Sequence, residues 1–110
     1  MTRRARIVCD HVRGEVFLEL AGERRRIPIR LSAGDIGDDW YGAMPYETSV
    51  IVYALTGEPD AFVAEEVYWE GYQGVRRRSW LITRDAGRSW SPRDGPVEGM
   101  RRLGSCGGGG

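Results

Sequence analysis

Apolar residues recur at every second position over short runs of this sequence, and this period of two constrains the fold more than any other feature. In EVFLEL, residues 15–20, the positions Val16, Leu18 and Leu20 are apolar and alternate with Glu15, Phe17 and Glu19. Successive side chains point to opposite faces of a β-strand, whereas a helix repeats about every 3.6 residues. The run therefore predicts a strand with one buried face.

Further strands are expected on either side of this run. The segments are residues 4–12, 24–31, 49–56, 61–70 and 75–83, and Gly-rich turns separate several of them. Pro28 cannot donate to a ladder, so the third strand is expected at a sheet edge or with a bulge. AFVAEEVYWE, residues 61–70, also fits a helix, but its Val, Phe, Tyr and Trp content favours a strand.

Residues 32–47 interrupt the strand pattern. Gly34, Gly37 and Gly42 disfavour a long helix and Pro45 ends one, which predicts a structured loop or one short helical turn. The sequence as a whole predicts a mostly β fold, a small antiparallel barrel or curled sheet with at most one short helix. Residues 1–98 are expected to form a single globular domain, followed by a flexible Gly-rich tail at 99–110.

Charge and cysteine content limit the classes of partner. Sixteen acidic residues balance sixteen basic residues, and every basic residue is arginine, so a nucleic-acid partner is not expected. The arginine triplets at 24–26 and 76–78 are expected to pair across strands with nearby glutamates, namely Glu15, Glu19, Glu65 and Glu66. No apolar stretch suits a membrane span. We predict a cytoplasmic protein with both cysteines reduced, and Cys9 as a small buried residue.

The segment TRDAGRSW, residues 83–90, resembles the Asp-box (BNR) hairpin found in sialidases and in several unrelated β proteins. The likeness implies a structural turn. Asp85 is expected to accept backbone N–H bonds across the turn, Gly87 to take positive φ, and Trp90 to cover the loop. In sialidases the box is structural and recurs in every blade, so no glycosidase activity is carried over.

Catalytic and metal-binding constellations are sparse. His11 is the only histidine, and no nucleophile motif surrounds it. One histidine with two distant cysteines does not give the spacing of a zinc site. We therefore predict no catalytic residues, no metal and no cofactor, and expect that the chain is not an enzyme.

Two groups of residues are candidates for contacting a protein partner. Asp38, Asp39, Trp40 and Tyr41 combine aromatic and acidic side chains in the Gly-rich segment before the central strand. Aromatic residues are enriched at protein interfaces, although the same group would equally cap one end of a barrel. The second group, Arg101 and Arg102, precedes the glycine run.

The last ten residues, RRLGSCGGGG, resemble the Arg/Leu-rich, Gly-terminated tails of ubiquitin-like modifiers and sulfur-carrier proteins. The resemblance implies that an E1-like adenylating enzyme activates the carboxylate of Gly110, with Gly109 beside it, for conjugation or thiolation. It also implies a β-grasp-like α+β fold as the alternative fold, and activating or target proteins as partners. Cys106 is a candidate thiol in this tail.

A second function is compatible with the same sequence. The chain has the size and composition of a small non-enzymatic binding module, such as a bacterial immunity protein or a phage counter-defence protein that occludes a protein partner. Under this interpretation the aromatic and acidic group at 38–41 contacts the partner, and deletion of the last glycines has no effect.

Overall fold

A computed structural model describes residues 5–36, 44–71 and 74–107 of the 110-residue chain. These residues form nine strands and no helix. The strands are β1 Ala5–Asp10, β2 Glu15–Leu20, β3 Glu23–Ile27, β4 Ser32–Ile36, β5 Met44–Leu55, β6 Glu58–Glu70, β7 Gly74–Thr83, β8 Ser91–Arg93 and β9 Met100–Cys106.

The strands belong to two antiparallel sheets that are not closed into a barrel. The small sheet has the order β1-β2-β3, and the large sheet has the order β4-β5-β6-β7-β8. β9 joins the large sheet on β5, where it pairs with residues 50–55 while β4 pairs with residues 44–48. The prediction of a mostly β, antiparallel fold is therefore confirmed. Of the two forms expected, a small barrel and a curled sheet, the closed barrel does not form.

The main core lies between the two sheets. Val16 and Leu18 of β2 are fully buried, as the period of two predicts, and belong to one apolar cluster with Val50 and Val52 of β5. Burying a side chain of this size stabilises the fold by about 1.5–3 kcal/mol. Residues 61–70 are part of a strand, so the strand interpretation of that segment is confirmed.

The interrupted segment at 32–47 is more regular than its glycines predict. Residues 32–36 form β4 and residues 44–47 begin β5, so the expected loop or helical turn is wrong for these positions. Gly34 has a packing role that sequence alone does not show, because a Cβ at this position would lie 3.1 Å from the ring of Tyr46. Pro28 ends β3 at Ile27 rather than lying within the strand.

The prediction of reduced cysteines is wrong in this structure. Cys9 of β1 and Cys106 of β9 form a disulfide with 5.9 Å between their Cα atoms. They are 97 residues apart, so no local spacing indicated the pair. The small sheet packs on the large one with β1 close to β9, which brings the two cysteines together. Cys106 is consequently not a thiol in a mobile tail.

The flexible tail predicted for residues 99–110 also begins too early. Met100–Cys106 form β9, which pairs with β5, and Cys106 is buried. Strand pairing and the disulfide hold this segment in place, although its charged residues and glycine made it look like the approach to a tail. Gly109 and Gly110, the predicted site of activation, lie outside the described residues.

Candidate functional site

The large sheet has a second face, directed away from the small sheet, which we call the outer face. Strand alternation puts Tyr53 of β5, Glu65 of β6 and Trp80 of β7 on it, since Val52, Ala64 and Leu81 contribute to the core on the other side. A smaller apolar cluster of Leu55, Ala61 and Val63 is buried at one end of the outer face.

Two aromatic rings cover the middle of the outer face. Tyr53 and Trp80 stack with their centroids 6.4 Å apart and their planes at 27°. Their strands are separated by β6, and strands two apart in a sheet lie about 9.5 Å from each other. The rings therefore lean toward one another over β6, where Val63 is fully buried and Glu65 is only 2% exposed.

Glu65 is the charged residue that this aromatic cover buries. Tyr53 Oη donates a hydrogen bond to Glu65 Oε1 at 3.0 Å, and Arg78 Nη1 donates to Glu65 Oε2 at 2.6 Å. Burial, and then the hydrogen bond to Glu65, raise the pKa of Tyr53, so the phenol remains a donor at neutral pH. Both carboxylate oxygens are thus engaged, which compensates for the loss of water around a buried charge.

Arginines surround the aromatic pair. Arg102 lies opposite Tyr53 in the β5–β9 register, and its positive charge acts to lower the pKa of Tyr53, against the net upward shift. Arg93 lies opposite Trp80 in the β7–β8 register and donates to the carbonyl of Gly95 at 2.9 Å. Arg102 is exposed and donates to Ser105 Oγ at 2.9 Å. The outer face therefore combines partly buried aromatic rings with solvent-accessible cations.

An apolar pair extends the outer face toward the β6–β7 turn. Trp69 of β6 and Val75 of β7 are partners in the register, and they are 37% and 46% exposed. Together they leave apolar side-chain area in contact with water at this end of the outer face. The outer face thus has an aromatic and cationic centre and an apolar end.

The turn at residues 83–90 has the contacts that its sequence predicts. Asp85 Oδ1 accepts from the backbone N–H of Ser89 at 2.9 Å and from Thr83 Oγ1 at 2.8 Å, and Asp85 Oδ2 accepts from Ser89 Oγ at 2.5 Å. These bonds, those from Ser89 first, lower the pKa of Asp85 from 3.8 to about 2. Gly87 has a φ of 86°, and Trp90 packs against the main core.

This turn also connects the two sheets. Arg25 of β3 donates to the carbonyl of Ala86 at 2.7 Å, and the N–H of Ala86 donates to the backbone carbonyl of Asp60 at 2.9 Å. A Cβ on Gly87 would lie 3.2 Å from Leu18 Cδ2 of β2. The turn therefore connects the two sheets, a role beyond the local bracing of the turn that was expected of Asp85.

The structure brings only some of the predicted site residues together. Arg101 and Arg102 are adjacent in β9 and lie opposite Ala54 and Tyr53, so they belong to opposite faces and only Arg102 reaches the outer face. Asp38, Asp39, Trp40 and Tyr41 lie outside the described residues. The expected arginine–glutamate pairing is confirmed at three positions: Arg24 with Glu19, Arg26 with Glu15, and Arg78 with Glu65.

Sequence reasoning did not identify Tyr53 and Trp80 as site residues. Tyr53 lies in a strongly apolar strand and Trp80 in the apolar end of β7, after the arginine triplet, and an aromatic residue in either place is expected in the core. The available signal was Glu65, a carboxylate in a segment whose other residues are mostly apolar, with an arginine triplet on the next strand. A buried carboxylate such as that of Glu65 needs hydrogen-bonding or charged partners. The residues of the neighbouring strands that pair with Glu65 must lie on its own face of the sheet, which is the outer face.

Comparison with known proteins gives no relative: no family model matches the chain, and no curated protein or solved structure matches it. In the described part of the chain, no three or more His, Cys, Asp or Glu residues are grouped so as to hold a metal ion. The same residues include no helix long and apolar enough to cross a membrane. The function has to be argued from the outer face itself.

Proposed function

We propose that this chain is a small non-enzymatic binding module that recognises a protein partner through its outer face. The observation that carries the proposal is the Tyr53–Trp80 pair, stacked over the buried Glu65 and its ion pair with the half-exposed Arg78, with Arg102 exposed beside it. Tyrosine, tryptophan and arginine are the residues most enriched at the energetic centres of protein interfaces.

The rings are held in place before any partner binds. Tyr53 is fixed by its hydrogen bond to Glu65, and Glu65 is fixed in turn by Arg78. Immobilising a flexible side chain on binding costs about 0.5–1.5 kcal/mol, and rings that are already ordered avoid much of that cost. The same bonds occupy both oxygens of Glu65, so the carboxylate supports the surface rather than attacking a substrate.

The module acts by occlusion, covering the surface of a protein partner as immunity and counter-defence proteins do. The disulfide bears on the compartment in which the module acts. Disulfides persist in oxidising surroundings and are rare in the cytosol. The prediction of reduced cysteines followed from the cytoplasmic expectation, and the Cys9–Cys106 bond supports an oxidising compartment in its place.

Two adjacent arginines give the matched test. The wild-type chain is immobilised and its partner is captured from the source cells, in parallel with Arg102→Glu and Arg101→Glu variants. Both side chains are exposed and belong to the same strand, but they lie on opposite faces. We expect the partner to be lost with Arg102→Glu and retained with Arg101→Glu. Equal capture by both variants would overturn the proposal.

Activation of the Gly110 carboxylate by an E1-like enzyme is the second candidate function. The feature that favours it is the anchoring of the preceding segment, since β9 and the disulfide fix the chain as far as Cys106, directly before the four glycines. Intact-mass measurement with an adenylating enzyme and ATP tests it. Covalent adducts that disappear when Gly109 and Gly110 are deleted support this function, whereas adducts that are unchanged by the deletion contradict it.

A further inference from the structure

We propose that the outer edge of β7, residues 74–79, receives an extended acidic segment of the partner as an added antiparallel strand. This inference rests on the binding function proposed above and specifies the chemistry and geometry of the partner.

The edge is open over more than half of its length. β7 comprises ten residues, and on its outer side β8 pairs only with residues 80–82. In the described part of the chain no strand pairs with the outer side of residues 74–79. An unpaired strand edge presents N–H and C=O groups to any extended chain that comes close, and peptide recognition by strand addition uses this feature.

Charge determines which chains fit the edge. Arg77 and Arg78 are consecutive, so their side chains lie on opposite faces of the sheet. Arg77 is exposed and lies over the Tyr68 ring at 5.3 Å, and the Arg78 side chain is 51% exposed although it binds Glu65. An added strand therefore meets one cation on each face, and two consecutive acidic residues complement both.

The acidic residues of this region lie on β6, one strand further from the open edge than β7. Glu65 and Glu66 are on β6, where Glu65 engages Arg78 and Glu66 lies opposite Ser79. The cations are therefore nearer to the open edge than the acids are. A second copy of this chain fits poorly, because antiparallel pairing of two β7 edges places arginine against arginine, and like charges directly opposite one another are destabilising.

The apolar pair completes the recognition pattern. Val75 and Trp69 are exposed beside the same edge, on the side of the triplet nearer the β6–β7 turn. The β6–β7 register passes from Arg77 directly to Val75 and leaves Arg76 as a bulge, so Val75 lies on the same face as Arg78. A partner strand antiparallel to β7 therefore passes Arg78, then Arg77 on the opposite face, and then returns to the outer face beside Val75. The structure thus favours a segment with two consecutive acidic residues followed directly by an apolar residue.

A peptide provides the test. A ten-residue peptide contains Glu-Glu-Val at its centre within a β-favouring sequence, and a matched peptide has lysine in place of both glutamates. Binding is followed by amide NMR shifts and by hydrogen exchange of the full chain. We expect the glutamate peptide to slow exchange at residues 74–79 by about tenfold or more, and Arg77→Glu to weaken binding by about tenfold. Arg101→Glu serves as the unaffected control.

Other outcomes overturn the inference. Equal binding of the lysine peptide, or unchanged affinity when the glutamate peptide is N-methylated at alternate residues, rules out an acidic added strand. Tighter binding of an oligothymidylate at the same edge favours nucleic acid instead, and concentration-dependent pairing of the chain with itself favours a second copy. If Arg102→Glu still abolishes partner capture while the β7 amides stay unprotected in the complex, the binding function stands and this inference fails.

Discussion

Tyr53 and Trp80 stack across an intervening strand, with centroids 6.4 Å apart, and Glu65 lies beneath them on that strand. Residues on β5 and β7 come into contact only because both rings lean inward over β6. The contact explains how a carboxylate on the face away from the core is 2% exposed, and it makes the stability of the outer face depend on a polar cluster.

Removing the Tyr53 hydroxyl tests this dependence. Tyr53→Phe keeps the ring but leaves Glu65 Oε1 without its donor, and we expect the free energy of unfolding to fall by about 1–2 kcal/mol. Tyr68→Phe is the matched control, because Tyr68 also donates to a glutamate, Glu70, at 3.0 Å, but the pair is more open to solvent. Denaturant titration measures both variants. An equal loss from the two would contradict a special role for the buried Glu65.

The disulfide should contribute substantially to stability. Cys9 and Cys106 are 97 residues apart, and closing a loop of about that length in the unfolded chain is worth about 4–5 kcal/mol in the chain-entropy model. We expect the Cys9→Ala, Cys106→Ala double variant, and the wild type under a thiol reductant, to unfold at much lower denaturant concentration. Wild-type stability that reductant does not change, together with two titratable thiols, would show that the bond is absent in solution.

Local patterns predicted the strands that carry a clear apolar pattern, because a strand with one buried face has its own period, whereas β4, β8 and β9 were not predicted. Val16, Leu18 and Leu20 illustrate this, and so do the turn contacts of Asp85, which depend on residues no more than four positions away. Pairings between distant segments were not predictable in the same way. Nothing in the sequence near Ser32 shows that it begins a strand at the edge of β5, since this depends on which strand edge is still unpaired once the rest of the sheet has formed.

The candidate site was harder to predict than the fold for the same reason. Nothing in the local sequence of β5 or β7 distinguishes Tyr53 and Trp80 from other strand residues, because their contact depends on the sheet order that places one strand between them. The Glu65–Arg78 pair was expected from charge, but the aromatic cover over it was not. The Cys9–Cys106 bond could not be predicted for the same reason, because it depends on how the two sheets pack and not on the sequence around either cysteine.

Acid titration of Asp85 provides a further test. Its pKa is lowered from 3.8 to about 2, chiefly by the Ser89 hydroxyl and then by the Ser89 backbone N–H. A depressed carboxyl pKa stabilises the fold fully above pH 3.8, and the contribution is lost as the pH falls through about 2. We expect Ser89→Ala to raise the Asp85 pKa toward its ordinary value, as measured by carboxyl NMR titration. An unchanged pKa would show that the hydroxyl bond does not form.

Two glycines with nearly equal φ allow the cost of backbone strain to be measured apart from the cost of side-chain packing. Gly57 and Gly87 have φ of 83° and 86°, but a Cβ on Gly57 meets nothing within 4 Å, whereas one on Gly87 lies 3.2 Å from Leu18 Cδ2. Gly57→Ala should therefore lose about 1–2 kcal/mol of unfolding free energy, from the left-handed backbone alone.

Gly87→Ala should lose about 1 kcal/mol or more beyond that, because Leu18 is fully buried and has little room to move. Thermal and denaturant unfolding of the two variants measure the difference. A Leu18→Ala background should remove the excess for Gly87→Ala and leave the loss for Gly57→Ala unchanged, because the two sites share no contact. Equal losses in the wild-type background would mean that the turn at 83–90 does not press on β2, and its bracing of the two sheets would then depend on the Arg25 hydrogen bond to Ala86.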